Sequence, residues 1–105
     1  MSRILVTGCG GPAGRAVREL LLQRGHNVIA VDMQPSLPDH IQRVPQAKDP
    51  NFVTELDKIA RNFHCELVIP TVSEELPVLA GRWDKKGIPI VLSSRSSVPN
   101  SRRQI

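Results

Sequence analysis

Four glycines fall within seven residues of the stretch "VTGCGGPAGRAV" at 6–17: Gly8, Gly10, Gly11 and Gly14. This cluster constrains the fold more than any other part of the chain. A short β-branched run, "RILVT" at 3–7, leads into it, and a run with helical spacing leads out. Glycines between a buried strand and a helix permit a tight turn, let a ligand approach the backbone, and let helix and strand pack closely. Pro12 suits the first helical turn, where a missing N–H costs little. Ala13, Ala16, Val17, Leu20 and Leu21 recur at helical spacing, which predicts one apolar face. Gly25 is then a C-terminal stop.

The same alternation continues along the chain. "NVIAVD" at 27–32 reads as a second buried strand ending in an acid, Asp32, and a loop with Pro35 and Pro38 follows. "IQRV" at 41–44 is at best a short edge strand, because Pro45 closes it. Asp49 and Pro50 form a helix opening, with Phe52, Leu56, Ile59, Ala60 and Phe63 on its apolar face. "CELVIP" at 65–70 is a further strand. Ser73 is placed to cap the next helix, with Glu74 and Glu75 in its first turn, where negative charge is favoured. Leu76, Leu79, Ala80 and Trp83 mark the buried face of that helix; Lys85 and Lys86 fall in its last turn and Gly87 ends it. "IPIVL" at 88–92 is the last predicted strand. Strands alternating with helices predict an α/β Rossmann-like, doubly wound parallel sheet of about five strands, order 3-2-1-4-5, with helices on both faces. The crevice where the order reverses, between the carboxyl ends of strands 1 and 4, is the expected ligand site. The loops Gly8–Gly14 and Pro70–Glu75 meet there.

A chain of 105 residues suffices for one domain, here over 1–98, followed by a basic tail at 99–105. The last 13 residues hold three of the fourteen basic residues and no acid, so the net charge of +4 falls to near +1 without them. That is a basic tail rather than a basic domain, and it argues against a nucleic-acid partner. No apolar run approaches the length needed to span a bilayer, and the N-terminus shows no signal-peptide pattern, so no membrane partner and a cytoplasmic location are expected. Cys9 and Cys65 fit no metal spacing and are expected as reduced thiols. A helix N-terminus near Cys9 would lower its pKa, but no general base stands beside it in sequence. His26, His40 and His64 are scattered, with no ligand spacing, so no metal site is expected.

The glycine loop satisfies two patterns at once. Gly8, Gly11 and Gly14 read as G-x-x-G-x-x-G, and Gly8, Gly10 and Ala13 as G-x-G-x-x-A. Asp32 follows Gly14 by 18 residues, where a ribose-binding acid of a dinucleotide site would stand. The alternative is purely structural: any tight strand-to-helix turn calls for glycines, and Asp32 then only opens the following loop. The TG-x-x-G-x-x-G form resembles the short-chain and extended dehydrogenases, whose catalysis uses a Tyr-x-x-x-Lys pair. This chain contains no tyrosine. Glu74 and Glu75 face the glycine loop across the crevice, where carboxylates repel a pyrophosphate and suit an amine or a hydroxyl better.

Four segments together resemble a different family: "ILVTGCGGPAGRAVRELLLQRGHNVIAVD", "VPQAKDPNFVTELDKIA", "ELVIPTVSEELPVLA" and "GIPIVLSSRSSV". They are similar to the N-terminal, pre-ATP-grasp domain of ATP-grasp ligases, in particular relatives of the carbamoyl-phosphate synthase large subunit, and "VIPTVSEEL" discriminates best. The resemblance implies a non-catalytic, substrate-shaping domain whose ATP and Mg²⁺ bind mainly in a later ATP-grasp module. It directs attention to Gly10, Gly11, Thr71, Glu74 and Glu75. The residues that would form that module are not in this sequence, so no independent ligase activity and no firmly bound cofactor are expected. The chain would be an isolated domain, a split-gene subunit or a truncated product. A free-standing NAD(P)-binding module and a homodimeric interaction domain are the other readings.

Overall fold

The computed structural model describes residues 2–34, 38–84 and 86–92. Its elements run β1 (Arg3–Val6), α1 (Pro12–Gln23), β2 (Asn27–Asp32), β3 (Ile41–Arg43), α2 (Phe52–Asn62), β4 (Leu67–Ile69) and α3 (Glu75–Arg82). The strands form one parallel sheet in the order β3-β2-β1-β4. Leu5 pairs with Ile29 on one side and Val68 on the other, and Ala30 pairs with Ile41. The direction of growth reverses at β1, between β2 and β4, as expected.

Period-two alternation in the strands divides two apolar layers. Ile4, Val6, Ala30 and Ile41 gather on one face, against Val17 and Leu21 of α1. Leu5, Val31 and Val68 point to the other face, where Phe52, Leu56 and Ala60 of α2 and Leu79 of α3 join them. Trp83, expected on the α3 face, closes this layer while its indole N–H donates to Ile88 O at 2.8 Å. Phe52 is wholly buried, and truncating such a side chain to alanine costs about 3–5 kcal/mol. Helices therefore cover both faces of the sheet.

Several local expectations are corrected. The segment 88–92 does not form a fifth strand among the described residues. It makes one parallel bridge, Ile90 with Val68, in which Val68 N donates to Pro89 O at 3.0 Å and Val91 N to Val68 O at 2.9 Å. Pro89 has no N–H with which to extend the ladder. Helix α2 starts at Phe52, later than the Asp49–Pro50 opening; Asp49 instead accepts from Asn51 N at 2.8 Å in a turn before the helix. Ser73 does not cap α3, whose N-cap is Glu74 and carries no side-chain cap. Lys86 lies past the end of α3, and Lys85 lies outside the described residues, as do the basic tail at 99–105 and Arg95.

Helix α1 is turned relative to the expected face. Ala13, Ala16 and Leu20 are exposed, whereas Gly14 is buried and Val17 and Leu21 are half-buried. The rotation follows from Gly14: a Cβ there would overlap the Gly8 carbonyl, so this position must face the loop backbone. Phe63 also lies at the surface, past the last buried turn of α2, and Ala80 of α3 is exposed. Gly25 stops α1 as expected, with φ of 86°. His64 takes the corresponding left-handed role after α2, with φ of 55°, and Cys65 N closes back on Ala60 O at 2.8 Å.

Candidate functional site

The carboxyl ends of β1 and β4 lie side by side, and Thr7 joins them. Its backbone N–H donates to Ile69 O at 3.1 Å. Its hydroxyl accepts from Thr71 N at 2.9 Å and donates to Glu75 Oε1 at 2.6 Å. Thr71 Oγ1 in turn donates to Thr7 O at 2.8 Å. The two loops expected to meet are thus hydrogen-bonded through a residue that the sequence patterns did not single out. The signals for Thr7 were its place as a polar residue ending an apolar strand and as the first residue of the TG-x-x-G-x-x-G form.

Glu74 and Glu75, adjacent in sequence, have different environments. Glu74 is exposed, while Glu75 is 2% exposed. Burial pushes the Glu75 carboxyl up to about 7; the Thr7 hydroxyl opposes this, and the charges of Asp32 and Glu74 add to it. Among the described residues Glu75 Oε2 has no hydrogen-bond partner. Both acids line a cavity of about 220 Å³ that also includes Met33, Gln46, Lys48 and Val72. Lys48 was a second residue missed at the sequence level, because it enters from the loop after β3.

The glycines of the loop have separate reasons. Gly8 has φ of 68°, a left-handed conformation that L side chains rarely adopt, and a Cβ there would strike the Thr71 hydroxyl. Gly10 gives its N–H to Asp32 Oδ2 at 2.5 Å, and Asp32 Oδ1 accepts from Met33 N at 2.6 Å. Asp32 is 4% exposed, so the acid expected at a ribose is engaged in holding the loop to the end of β2. Gly14 is demanded by the Gly8 contact. Gly11 differs: the nearest atom to a Cβ there is Gly8 O at 3.6 Å, an ordinary contact. Gly11 is also the N-cap of α1, in an extended conformation with no side-chain cap. The fold itself does not require a glycine at this position.

Cys9, on the same loop, is buried, and its Sγ lies 3.3 Å from Val6 O. Burial pushes the thiol up to about 11, overriding the opposing backbone contact at Val31 and the charge of Arg18. Burial also raises the pKa of Cys65. Neither thiol is primed as a nucleophile. Of the histidines, His26 accepts from Ser2 N at 3.2 Å and His40 lines a larger cavity on the far side of the glycine loop. Among the described residues no three His, Cys, Asp or Glu side chains gather as a metal site requires, and no helix is long and apolar enough to cross a membrane.

A glycine turn at a sheet reversal, with helices on both faces, defines a Rossmann-like α/β domain. A solved structure shares that architecture. The 3-alpha-hydroxysteroid dehydrogenase from Pseudomonas sp. B-0831, complexed with NADH, is 21% identical over 75% of this chain and 41% of its own, with a TM-score of 0.55. The Bordetella bronchiseptica enzyme WbmH, in complex with NAD+, is 21% identical over 69% of this chain and 26% of its own, with a TM-score of 0.49. This chain thus spans less than half the length of either, and the first likeness is one of fold alone. Comparison with curated proteins finds no match. Residues 4–91 match the family of PylC-like N-terminal domains, and the chain belongs to that family, a pre-ATP-grasp Rossmann-like domain of ATP-grasp ligases.

Proposed function

We propose that this domain forms the acceptor-substrate wall of an ATP-grasp ligase of the carboxylate–amine or carbamoyl-phosphate synthase-like type, acting in the cytoplasm beside an ATP-grasp catalytic module. The observation that carries this reading is the Glu75 carboxyl. It is buried, fixed on one oxygen by Thr7, open on the other, and lines a cavity with Glu74 and Lys48. A carboxyl held this way suits an N–H donor on a substrate. A second acid beside it disfavours a pyrophosphate. Thr71 and the Gly8–Gly11 turn shape the adjoining wall, and Gly11 leaves room for a ligand against the backbone.

ATP and Mg²⁺ belong, in this proposal, to the catalytic module. Phosphoryl-transfer chemistry needs clustered carboxylates for the metal, and the described residues offer no such cluster. This chain's own residues bind and orient; no bond-breaking step is assigned to them. The engagement of both Asp32 oxygens by Gly10 N and Met33 N weighs against the NAD(P)-binding alternative, since little of that carboxylate is left for a ribose hydroxyl.

NMR titration of the full chain tests this. NADPH and ATP–Mg²⁺ alone are expected to leave Gly8–Gly14 and Thr71–Glu75 without saturable shifts. A catalytic module supplied in trans is expected to broaden or shift those same residues. Saturable NADPH shifts along Gly8–Gly14 and at Asp32 would overturn the reading in favour of a dinucleotide-binding module.

A further inference from the structure

The two edges of the sheet are finished differently. Successive residues of a strand present their N–H and C=O groups to opposite sides, so every edge carries a row of groups without a ladder partner. On the β3 edge, Val44 N turns inward and donates to Asp32 O at 2.8 Å. The outward set is then Ile41, Arg43 and Pro45. Ile41 N is engaged by Pro38 O at 3.0 Å, Pro45 has no N–H, and Arg43 is an exposed charge. Charge and proline at an edge resist pairing with another strand.

The opposite edge, at 88–92, has no such protection. Pro89 O and Val91 N are the groups that bond to Val68, so the missing N–H of Pro89 falls on the inner side. The outward set is Ile88, Ile90 and Leu92. Ile90 N, Ile90 O and Leu92 N have no hydrogen-bond partner among the described residues, and Ile88 O accepts from Trp83 Nε1 at 2.8 Å. The segment "IPIVL" carries no charge, and Val91 and Leu92 are 46% and 37% exposed. Leu92 also lines a cavity of about 260 Å³ with Leu79, Ala80, Trp83 and Ile88; Asp84 is its one charged lining residue. An uncharged edge with open donors and an apolar cleft beside it is a template for one more strand.

We infer that the 88–92 edge pairs with the same edge of a second copy of this chain, antiparallel about a two-fold axis at Ile90. In that register Ile90 N and O exchange both bonds with Ile90 of the copy, the hydrogen-bonded pair of an antiparallel ladder. Leu92 N meets the copy's Ile88 O, which has a second lone pair to offer. The Leu92 side chain then lies opposite Ile88 of the copy, at the mouth of the cleft lined by Leu79 and Trp83. Self-pairing sets a segment against itself, so any charge on it faces its like. The 88–92 edge has none, whereas the β3 edge would bring Arg43 towards Arg43. Pairing on both sides turns the single bridge at Ile90 into a fifth strand, in a sheet continuous through both copies. Five strand residues a side fall well short of the roughly 20–30 of a standard interface, so a weak dimer is expected, with a dissociation constant on the order of 100 µM. The contact shares no residue with the Glu75 cavity and does not depend on the ligase reading.

Sedimentation equilibrium of the full chain between about 10 µM and about 1 mM tests this, with amide exchange followed by NMR at both ends of the range. A monomer–dimer equilibrium is expected, and the Ile90 amide should exchange about threefold or more slower at the high concentration. Leu92→Lys sets like charges near the axis and should weaken dimerisation about tenfold or more. Since Leu92 is exposed, the melting temperature of that variant in dilute solution should stay within about 2 °C of the parent's. Leu20→Lys, at an exposed leucine of α1, should leave the dimer intact. A chain that stays monomeric at the top of the range, a dimer untouched by Leu92→Lys, or one abolished by Leu20→Lys would overturn the inference. So would an Ile90 amide protected equally at both concentrations, because another part of the same chain would then cover the edge.

Discussion

The Thr7 hydroxyl donates to Glu75 Oε1 at 2.6 Å, a bond that spans 68 positions of sequence and ties the end of β1 to the first turn of α3. The same hydroxyl accepts from Thr71 N, so one oxygen links three segments at the mouth of the crevice. Replacing Thr7 with valine keeps the shape and leaves both a backbone N–H and a carboxyl oxygen unpartnered. A loss of about 2–3 kcal/mol is expected in chemical denaturation. A loss below about 0.5 kcal/mol would mean that water replaces the hydroxyl without cost.

Glu75 makes stability depend on pH. Its pKa is raised to about 7 in the folded protein from an ordinary 4.5, so the folded state holds the proton more tightly than the unfolded chain. The stabilisation is present in full below the ordinary value. It is lost as pH rises from about 4.5 through 7. The full span corresponds to about 3 kcal/mol. Thermal melts should therefore show a fall in melting temperature between pH 5 and 8 that Glu75→Gln largely removes, with the variant more stable at pH 8. A variant less stable than the parent at pH 8 would show that the ionised carboxylate has a favourable partner.

Glycines three positions apart are expected to respond in opposite ways. Gly14→Ala forces a Cβ onto the Gly8 carbonyl and the Cys9 amide, backbone atoms that cannot turn aside. Its cost should be about 2–4 kcal/mol, comparable to overpacking a tight core. Gly11→Ser meets only an ordinary contact, with Gly8 O, and places a good capping side chain at the N-cap. It should leave stability unchanged or raise it by up to about 1 kcal/mol. Melting curves of the two variants side by side decide this.

Cys9 should be slow to react. With its thiol buried and its pKa about 11, alkylation at pH 8 in the folded protein should run at least about a hundredfold slower than in denaturant. Mass spectrometry of iodoacetamide-treated protein reads this directly. Labelling at equal rates in both states would contradict the buried placement.

His64 occupies a left-handed backbone position where glycine carries no Cβ penalty. His64→Gly is expected to stabilise the fold by up to about 1 kcal/mol, set against the greater freedom that glycine has in the unfolded chain. A clear loss in melting temperature would point to a contact made by the imidazole.

By itself the sequence determined the order of elements, the parallel sheet with its reversal at β1, and the glycine turn facing "TVSEEL". These follow from local chemistry: short β-branched apolar runs in "RILVT" and "NVIAVD", helical spacing in 52–60, and glycine or proline at the turns. Only the tertiary structure decided which face of α1 is buried, because Gly14 must touch Gly8 and the apolar pattern of the helix carries no record of that contact. It also decided that Asp32 serves Gly10 and Met33, that Glu75 rather than Glu74 is buried, and that 88–92 adds a bridge and no strand. Each of these depends on atoms brought together from distant positions, and periodicity within one element says nothing about what it will meet.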